Sequence, residues 1–531
     1  MDFQELLREF NLTPEFSLAV VDEIESIPEQ VPEDEMKGRR DLTNLNIFTI
    51  DGEDAKDLDD AVSITTLDNG NYLLGVHIAD VSHYVRENTN LDREAMERGT
   101  SVYLVDTVVP MLPKKLSNGV CSLNPHTIRL TLSVFMELTD RANIVDYEIC
   151  ESYICSKHRL TYTAVTSLLE GDSELEEKYK DIADDLRLMQ RLASQLTQKR
   201  FRRGGLDFDL PETKVITDED GVPVEIKKYE VTISNHIIEE FMLACNETVA
   251  RHMNKLEIPS VYRVHEKPES GKVEKLILML RGLGYNYFPK ETISSNSLQK
   301  VLGDFKDSPY STAVSTVLLR SMMKARYCEK NLGHFGLAAV YYCHFTSPIR
   351  RYPDLAVHRI LKTWLHGELD QWKTTHFEKY AKKAADLSSD TEVNAVDAER
   401  KWTEAKICEY MKNFIGQDFE AIIMSVTSFG LFAELDNSAS GLIPMSELKD
   451  DYYIYDEINY CLVGRRTKNI YRIGDTLKVR LVRVDEELLQ IDFVPIENVK
   501  KENQKKRVIK NGQKAKKKVS SYKGKRGRKR K

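Results

Sequence analysis

The 531-residue sequence predicts an α+β protein: a mixed sheet surrounded by helices, then a small β-barrel, then a disordered basic tail. Three observations carry that prediction. Up to about residue 395, apolar residues at helical spacing are interleaved with short alternating runs, the pattern of helices packed around a sheet. From Gly416 onward, alternating runs follow one another between turn residues, as in a barrel. From Lys500 to Lys531 there are 17 Lys or Arg against one Glu, a net +16, which leaves −24 on residues 1–499 of a chain whose formal charge is −8. Such a tail has almost nothing apolar to bury and should be disordered. The length suggests two to four domains. No run approaches the ~18–20 apolar residues of a membrane span, and the first residues do not resemble a signal peptide, so a cytoplasmic protein without a membrane partner is expected. The eight cysteines form no CxxC pair and read as reduced thiols.

In chain order, residues 1–40 form a helical lead-in, with Phe3, Leu6, Leu7 and Phe10, then Ala19, Val20 and Ile24, at helical spacing until Pro28 and Pro32 break it. Next comes Thr49-Ile50-Asp51-Gly52-Glu53-Asp54-Ala55-Lys56-Asp57-Leu58-Asp59-Asp60-Ala61-Val62, six acidic side chains in ten residues between two β-prone segments. Carboxylates gathered that closely raise one another's pKa unless cations intervene. A hard divalent ion such as Mg²⁺ takes carboxylate oxygens and leaves room for substrate phosphates. The cluster alone is equally compatible with a solvated or calcium-binding loop, although it lacks EF-hand spacing. Tyr72–Ile78 and Val81–Val85 alternate like strands; His77 and His83 read as structural. Leu130–Leu138 is a further strand, and a helical region opens at Tyr162 and runs to Arg203. There Arg200-Phe201-Arg202-Arg203 has the composition of a nucleic-acid channel wall. Ser234–Asn254 is an amphipathic helix carrying Glu239 and Glu240.

In Phe345-Thr346-Ser347-Pro348-Ile349-Arg350-Arg351-Tyr352-Pro353-Asp354, the Ser/Thr before Pro348 predicts a helix start. Helix N-terminal amides beside arginines make an anion site. Asp354 and His358 lie four apart and read as a structural pair. Residues 361–414 are largely helical. The runs at 416–426, 429–435, 441–444, 474–480 and 489–493 then give about five strands, the count of an OB-fold barrel.

Asp51, Asp57, Asp59 and Asp60 stand at offsets zero, six, eight and nine in a stretch that resembles the signature of the RNB family of exoribonucleases, ribonucleases II and R. The Thr-Ser-Pro-Ile-Arg-Arg-Tyr segment resembles a second, highly specific motif of that family. The wording around the first aspartate is closer to ribonuclease R. In that branch cold-shock domains precede the catalytic domain, and no such β-rich stretch is present here.

The resemblance implies a processive, hydrolytic 3′-to-5′ exoribonuclease that degrades single-stranded and structured RNA to nucleoside 5′-monophosphates by a two-metal mechanism. Mg²⁺, or Mn²⁺ in its place, would be held by Asp51, Asp57, Asp59 and Asp60, with Asp59 also orienting the attacking water. Arg350 would stabilise the transition state, Tyr103 would position the terminal nucleotide, and Arg351 would support the loop or touch RNA. Tyr162 and Phe208 are implied to stack on the last bases, worth ~1–3 kcal/mol per base, and Glu240 or Glu239 to face the substrate. The F-G-x-F and G-L-I-P segments of the barrel resemble an S1-type RNA-binding domain, with Phe429 and Phe432 presenting a stacking face and Lys478 and Arg480 meeting phosphates.

The implied division is lead-in 1–40, RNB catalytic domain 41–395, helical connector 396–415, barrel 416–495 and tail 496–531. The chain is expected to be monomeric and to bind RNA, with its tail reaching polyanions such as the ribosome or joining a degradosome. A ribonuclease II-like enzyme stalled by duplex RNA, or a non-catalytic RNA-binding homologue, are the alternatives.

Overall fold

The computed structural model describes residues 2–208, 212–229, 231–283, 285, 293–308, 310–457 and 460–496. Its centre is a seven-stranded mixed sheet, ordered Arg40–Asp41, Ile144–Cys155, Ile128–Leu138, Tyr72–Ala79, Asp60–Thr66, Phe48–Asp51, His158–Thr161. The two edge strands pair parallel to their neighbours and the rest pair antiparallel. Strand Tyr72–Ala79 is buried at seven of its eight positions, so both sheet faces are covered. The helices Ala183–Arg203 and Ile233–Lys255 and the helix Tyr352–Leu365 contribute the apolar sides that close the core. The lead-in is helical, as its spacing predicts, with Asp2 and Ser17 capping the helices Phe3–Glu9 and Leu18–Glu25.

Two local expectations are corrected. Val81–Val85 is not a strand: after Ala79 the chain turns into a short 3₁₀ segment, Val81–His83. The cause is Asp80, whose buried carboxylate accepts from Ser82 Oγ at 2.7 Å and pairs with Arg39 and Lys362, each at 2.7 Å. The helix predicted from Pro348 begins only at Tyr352, with Pro353 in its first turn. The intervening residues form a tight turn whose amides are taken by carboxylates, Ser347 N–H by Asp354 and Ile349 N–H by Asp59, both at 2.8 Å.

The 41-residue helix Gln371–Met411 runs from the catalytic half towards the barrel, so residues 396–411 continue a helix begun in the preceding region. The barrel is closed, in the order Asp418–Val426, Gly430–Leu435, Ser440–Pro444, Gln490–Pro495, Thr476–Asp485. Gly430 sits where a Cβ would run into the carbonyl of Ile443, so the first hairpin requires glycine there. A three-stranded sheet, Tyr453–Asp456, Cys461–Gly464 and Ile470–Arg472, is inserted between the third and fourth barrel strands in sequence. The tail expected from residue 496 lies, from 497 onward, outside the described residues. Among the described residues no helix is long and apolar enough to cross a membrane.

Candidate functional site

The acidic loop leaves the sheet at Asp51 and re-enters it at Asp60, so its ends are fixed by two paired strands. Between them it is held from both sides. Ser122 Oγ accepts from Leu58 N–H and donates to the Lys56 carbonyl, and Arg159 donates to the carbonyls of Glu53 and Ala55. The result is a cavity of about 260 Å³ whose wall contains Asp51, Asp57, Asp59 and Asp60 together with Arg350 and Tyr162.

Asp59 is buried; its Oδ1 accepts from Ile349 N–H, while its Oδ2 lies 3.7 Å from Arg350 Nε. Arg350 is half-exposed and donates to Ser347 Oγ at 3.1 Å, which turns its guanidinium along the cavity wall. Tyr103 stands on the hairpin Val102–Tyr103/Val108–Val109, 39% exposed, and donates its hydroxyl to Asp57 Oδ2 at 2.6 Å. The loop bearing Arg350 is supported from behind: Asn246 Oδ1 accepts from Phe345 N–H, and His358 Nε2 donates to the Phe345 carbonyl.

Burial and the Asp57 charge push Asp51 up to about 6, and burial and the Asp51 charge push Asp60 up to about 8. Burial likewise raises Asp59 well above the usual carboxylate range, with Arg350 opposing. Three carboxylates are therefore short of positive charge, and the buried Asp51 Oδ2 and Asp59 Oδ2 have no hydrogen-bond partner. That is the electrostatic deficit a divalent cation fills. Among the described residues no three His, Cys, Asp or Glu side chains converge tightly enough to enclose an ion alone. Mg²⁺ does not need such a cage, because it is commonly held by one or two carboxylates, water and a substrate phosphate. The donor set fits it.

The remaining sequence-derived candidates divide. Tyr162 lines the cavity, whereas Phe208 packs against the apolar cluster that includes Leu206, Leu276 and the barrel core at Leu431 and Phe493 and is not among the lining residues, so the two do not form a pair around this cavity. Glu240 is buried and paired with Arg200 at 2.7 Å; it is Glu239 that lines the cavity. The basic run at 200–203 is correspondingly not an open channel wall, since Arg200 and Arg203 pin their helix to Glu240 and Glu247 of the neighbouring one. Arg351 reaches the cavity edge but is committed to Asp354 by two hydrogen bonds of 2.7 and 2.9 Å. Asp354 and His358 are both structural, though each bonds a different segment and not the other. His77 bridges Ser63 and Ser133 inside the sheet, and His83 contacts Glu35 and Arg39.

On the barrel, Phe429 is 57% exposed and meets Phe432 edge-on at 5.9 Å, outside the core. Lys478 is exposed, while Arg480 is tied to Asp418 at 2.6 and 3.0 Å.

Sequence reasoning missed Arg159 and Glu399, and took Ser347 only as part of a helix start and not as the acceptor for Arg350. Glu399 on the long helix accepts the Tyr103 amide at 2.8 Å, a partnership between residues 296 positions apart that no local pattern announces.

Fold and cavity together define a class: an α+β domain with a carboxylate-rich pocket facing an arginine, joined to an OB-fold barrel. The chain belongs to the RNB family, whose RNB domain matches residues 39–367, and an S1 RNA binding domain matches residues 412–493. Ribonuclease R 1 of Lactococcus lactis subsp. lactis (strain IL1403) is 46% identical over 497 residues, covering 93% of this chain and 60% of that protein. The chain thus spans less than two thirds of that relative's length. The structure of Mycoplasma genitalium RNase R in complex with ribose methylated single-stranded RNA superposes with a TM-score of 0.86 at 31% identity, covering 93% of this chain and 77% of that one. The same protein in complex with double-stranded RNA gives 0.82 at 29% identity, over 93% and 82%.

Proposed function

We propose that this protein is a 3′-to-5′ exoribonuclease of the ribonuclease R type, degrading single-stranded and structured RNA to nucleoside 5′-monophosphates. The observation that carries the reading is the single cavity in which Asp51, Asp57, Asp59 and Asp60 face Arg350. The similarity to ribonuclease R over 93% of the chain supports it. RNA as substrate is supported by the S1 RNA binding domain and by the RNA complexes of the M. genitalium relative. Magnesium, with manganese as a substitute, would be held by Asp51, Asp57, Asp59 and Asp60 as two ions and would supply positive charge at the scissile phosphate.

The chain's own residues divide the remaining work. Arg350 reaches into the cavity and neutralises charge developing on the phosphate oxygens, an effect worth ~10²–10³ in rate for comparable preorganised donors. Asp59, fixed by Ile349 N–H, keeps Oδ2 free to orient a water for in-line attack. Tyr103, anchored through Asp57 and Glu399, presents its ring beside the terminal nucleotide. Tyr162 and Glu239 line the same cavity, which supports Tyr162 as a second ring surface and Glu239 as the residue that faces the substrate; contacts to the 2′-hydroxyl would distinguish RNA from DNA. Phe429 and Phe432 stack on bases held by the barrel. We assign the catalytic domain to residues 41–395, the connector to 396–415 and the barrel to 416–495. We further propose that the protein is a cytoplasmic monomer whose tail binds polyanions, reaching the ribosome or a degradosome.

The test is digestion of a 5′-labelled single-stranded RNA with Mg²⁺ by the parent and by Asp59→Asn. Shortening from the 3′ end that requires both Mg²⁺ and Asp59 is the expected result. Binding without shortening by the parent overturns the reading, and arrest at a duplex with a 3′ overhang selects the ribonuclease II type.

A further inference from the structure

The sheet inserted into the barrel ends in a turn that none of the assigned roles uses. Strands Cys461–Gly464 and Ile470–Arg472 are joined by Arg465, Arg466, Thr467, Lys468 and Asn469; the first four are exposed. Across the sheet from this turn lies Tyr452, 70% exposed, whose carbonyl accepts from Arg465 N–H at 2.8 Å. One aromatic face and three cations are thus displayed together.

The turn is built to stay in that shape. Asp451, with a side chain only 1% exposed, accepts from the amides of Tyr452, Arg466 and Thr467 and from Thr467 Oγ1, at 2.5–2.8 Å. Asp450 adds bonds from Tyr453 Oη and Asn469 Nδ2. A Cβ on Gly464 would come within 2.7 Å of Thr467 Oγ1 and 2.8 Å of Asp451 Oδ2, so the turn closes on itself. Lys468 adopts a left-handed backbone at φ 58°. The two carboxylates are spent on amide and hydroxyl donors; Arg466, its side chain 81% exposed, makes only a loose 3.7 Å contact from Nε to Asp451 and a 3.4 Å bond from its guanidinium to the Asp450 carbonyl. Among the described residues Arg465 and Lys468 make no ion pair. A rigid display of this kind loses little entropy on binding a polyanion.

We propose that this turn is a second RNA contact, separate from the Phe429/Phe432 face, in which Tyr452 stacks a base and Arg465, Arg466 and Lys468 meet phosphates. The proposal rests on the exoribonuclease reading. Because the 3′ end occupies the catalytic cavity, RNA held here lies on its 5′ side, and only substrates longer than the cavity segment reach it.

The experiment compares the parent, Arg465→Glu/Arg466→Glu and Tyr452→Ala, measuring binding of a labelled single-stranded RNA of about 30 nucleotides in EDTA across a salt series, and Mg²⁺-dependent digestion of that RNA and of one of about 5 nucleotides. For the double variant we expect the long-RNA Kd to rise about tenfold, and the slope of log K against log salt to become shallower by about 1.4, or ~0.7 for each of two phosphates. For Tyr452→Ala we expect at least about a fivefold loss with the slope unchanged. Digestion of the short RNA stays at the parent rate for both. Unchanged affinity and slope overturn the proposal, as do equal losses on short and long RNA. A parent that digests neither RNA refutes the exoribonuclease reading itself, an outcome separable from all of these.

Discussion

Arg350 and Arg351 are adjacent in the sequence and carry the same charge, but their surroundings give them opposite work. The Arg350 side chain is 42% exposed and, among the described residues, donates to Ser347 Oγ and lies 3.7 Å from the far oxygen of Asp59, which leaves it room to meet a phosphate; its backbone carbonyl is held by Thr100 and Ser101. Arg351 is clamped to Asp354, a fully buried carboxylate that also receives Ser347 N–H. Replacing Arg350 by Ala should therefore lower kcat by about 10²–10³ while leaving the unfolding midpoint unchanged. Replacing Arg351 by Ala strands the Asp354 charge and should cost about 3–5 kcal/mol of stability. Single-turnover rates and urea unfolding on both variants check this, and a stability loss for Arg350→Ala would contradict the assignment. At this scale the meeting of the four aspartates and Arg350 in one cavity was legible through the two motifs that carry the family resemblance, each a run of neighbouring residues. That Glu239 and not Glu240 lines the cavity was not legible, because the helical pattern shows which residues share a face but not which face meets the cavity; Arg200, forty positions away, takes Glu240.

Among the elements, the helix Tyr352–Leu365 matters most, since its first turn follows the Arg350 loop. It is fastened at its other end: Lys362 and Arg39 both pair with Asp80 at the close of a central strand, and Glu151 completes the group, 3.1 Å from Arg39 and 3.3 Å from Lys362. Burial alone would raise the Asp80 carboxyl, but Lys362 and Arg39 outweigh it and hold it well below the usual range. A carboxylate depressed in the folded state stabilises the protein above its unfolded pKa of about 3.9, and that contribution disappears as pH falls through the range below it. Stability should therefore drop steeply below about pH 4 in the parent and less steeply in Asp80→Asn, which should already be weaker at neutral pH by about 3–5 kcal/mol. Urea titrations at pH 7 and across the acid limb measure both effects; parallel acid limbs would remove Asp80 from the account. The same carboxylate explains why Val81–Val85 misled the alternation rule, since a buried charge with three partners ends a strand whatever the apolar pattern says. The barrel's five strands were legible, each bounded by turn residues, but the inserted three-stranded sheet was not. Its strands are three or four residues long and their order is set by the turns around Asp450 and Asp451 rather than by a run of apolar positions.

Over the whole molecule, charge is segregated along the chain, −24 on residues 1–499 and +16 on residues 500–531. An acidic body repels RNA at long range, and beyond the Debye length of about 8–10 Å only local cations matter. The catalytic half spends many of its own cations internally: Arg200, Arg203, Arg351, Arg359 and Lys362 are each paired with a carboxylate. On the proposed reading, the last 32 residues add long-range attraction for RNA, through phosphate neutralisation and counterion release. Removing residues 500–531 should weaken RNA binding and flatten its salt dependence by ~0.7 in log–log slope for each single-strand phosphate that is no longer neutralised. Turnover of saturating short RNA should not change, because no cavity residue is touched. Filter binding at graded salt, paired with saturating kinetics, separates the two quantities. An unchanged slope in the shortened protein would mean that the tail holds no phosphates and that RNA is captured by the barrel and the catalytic cavity alone, in spite of the body's net charge.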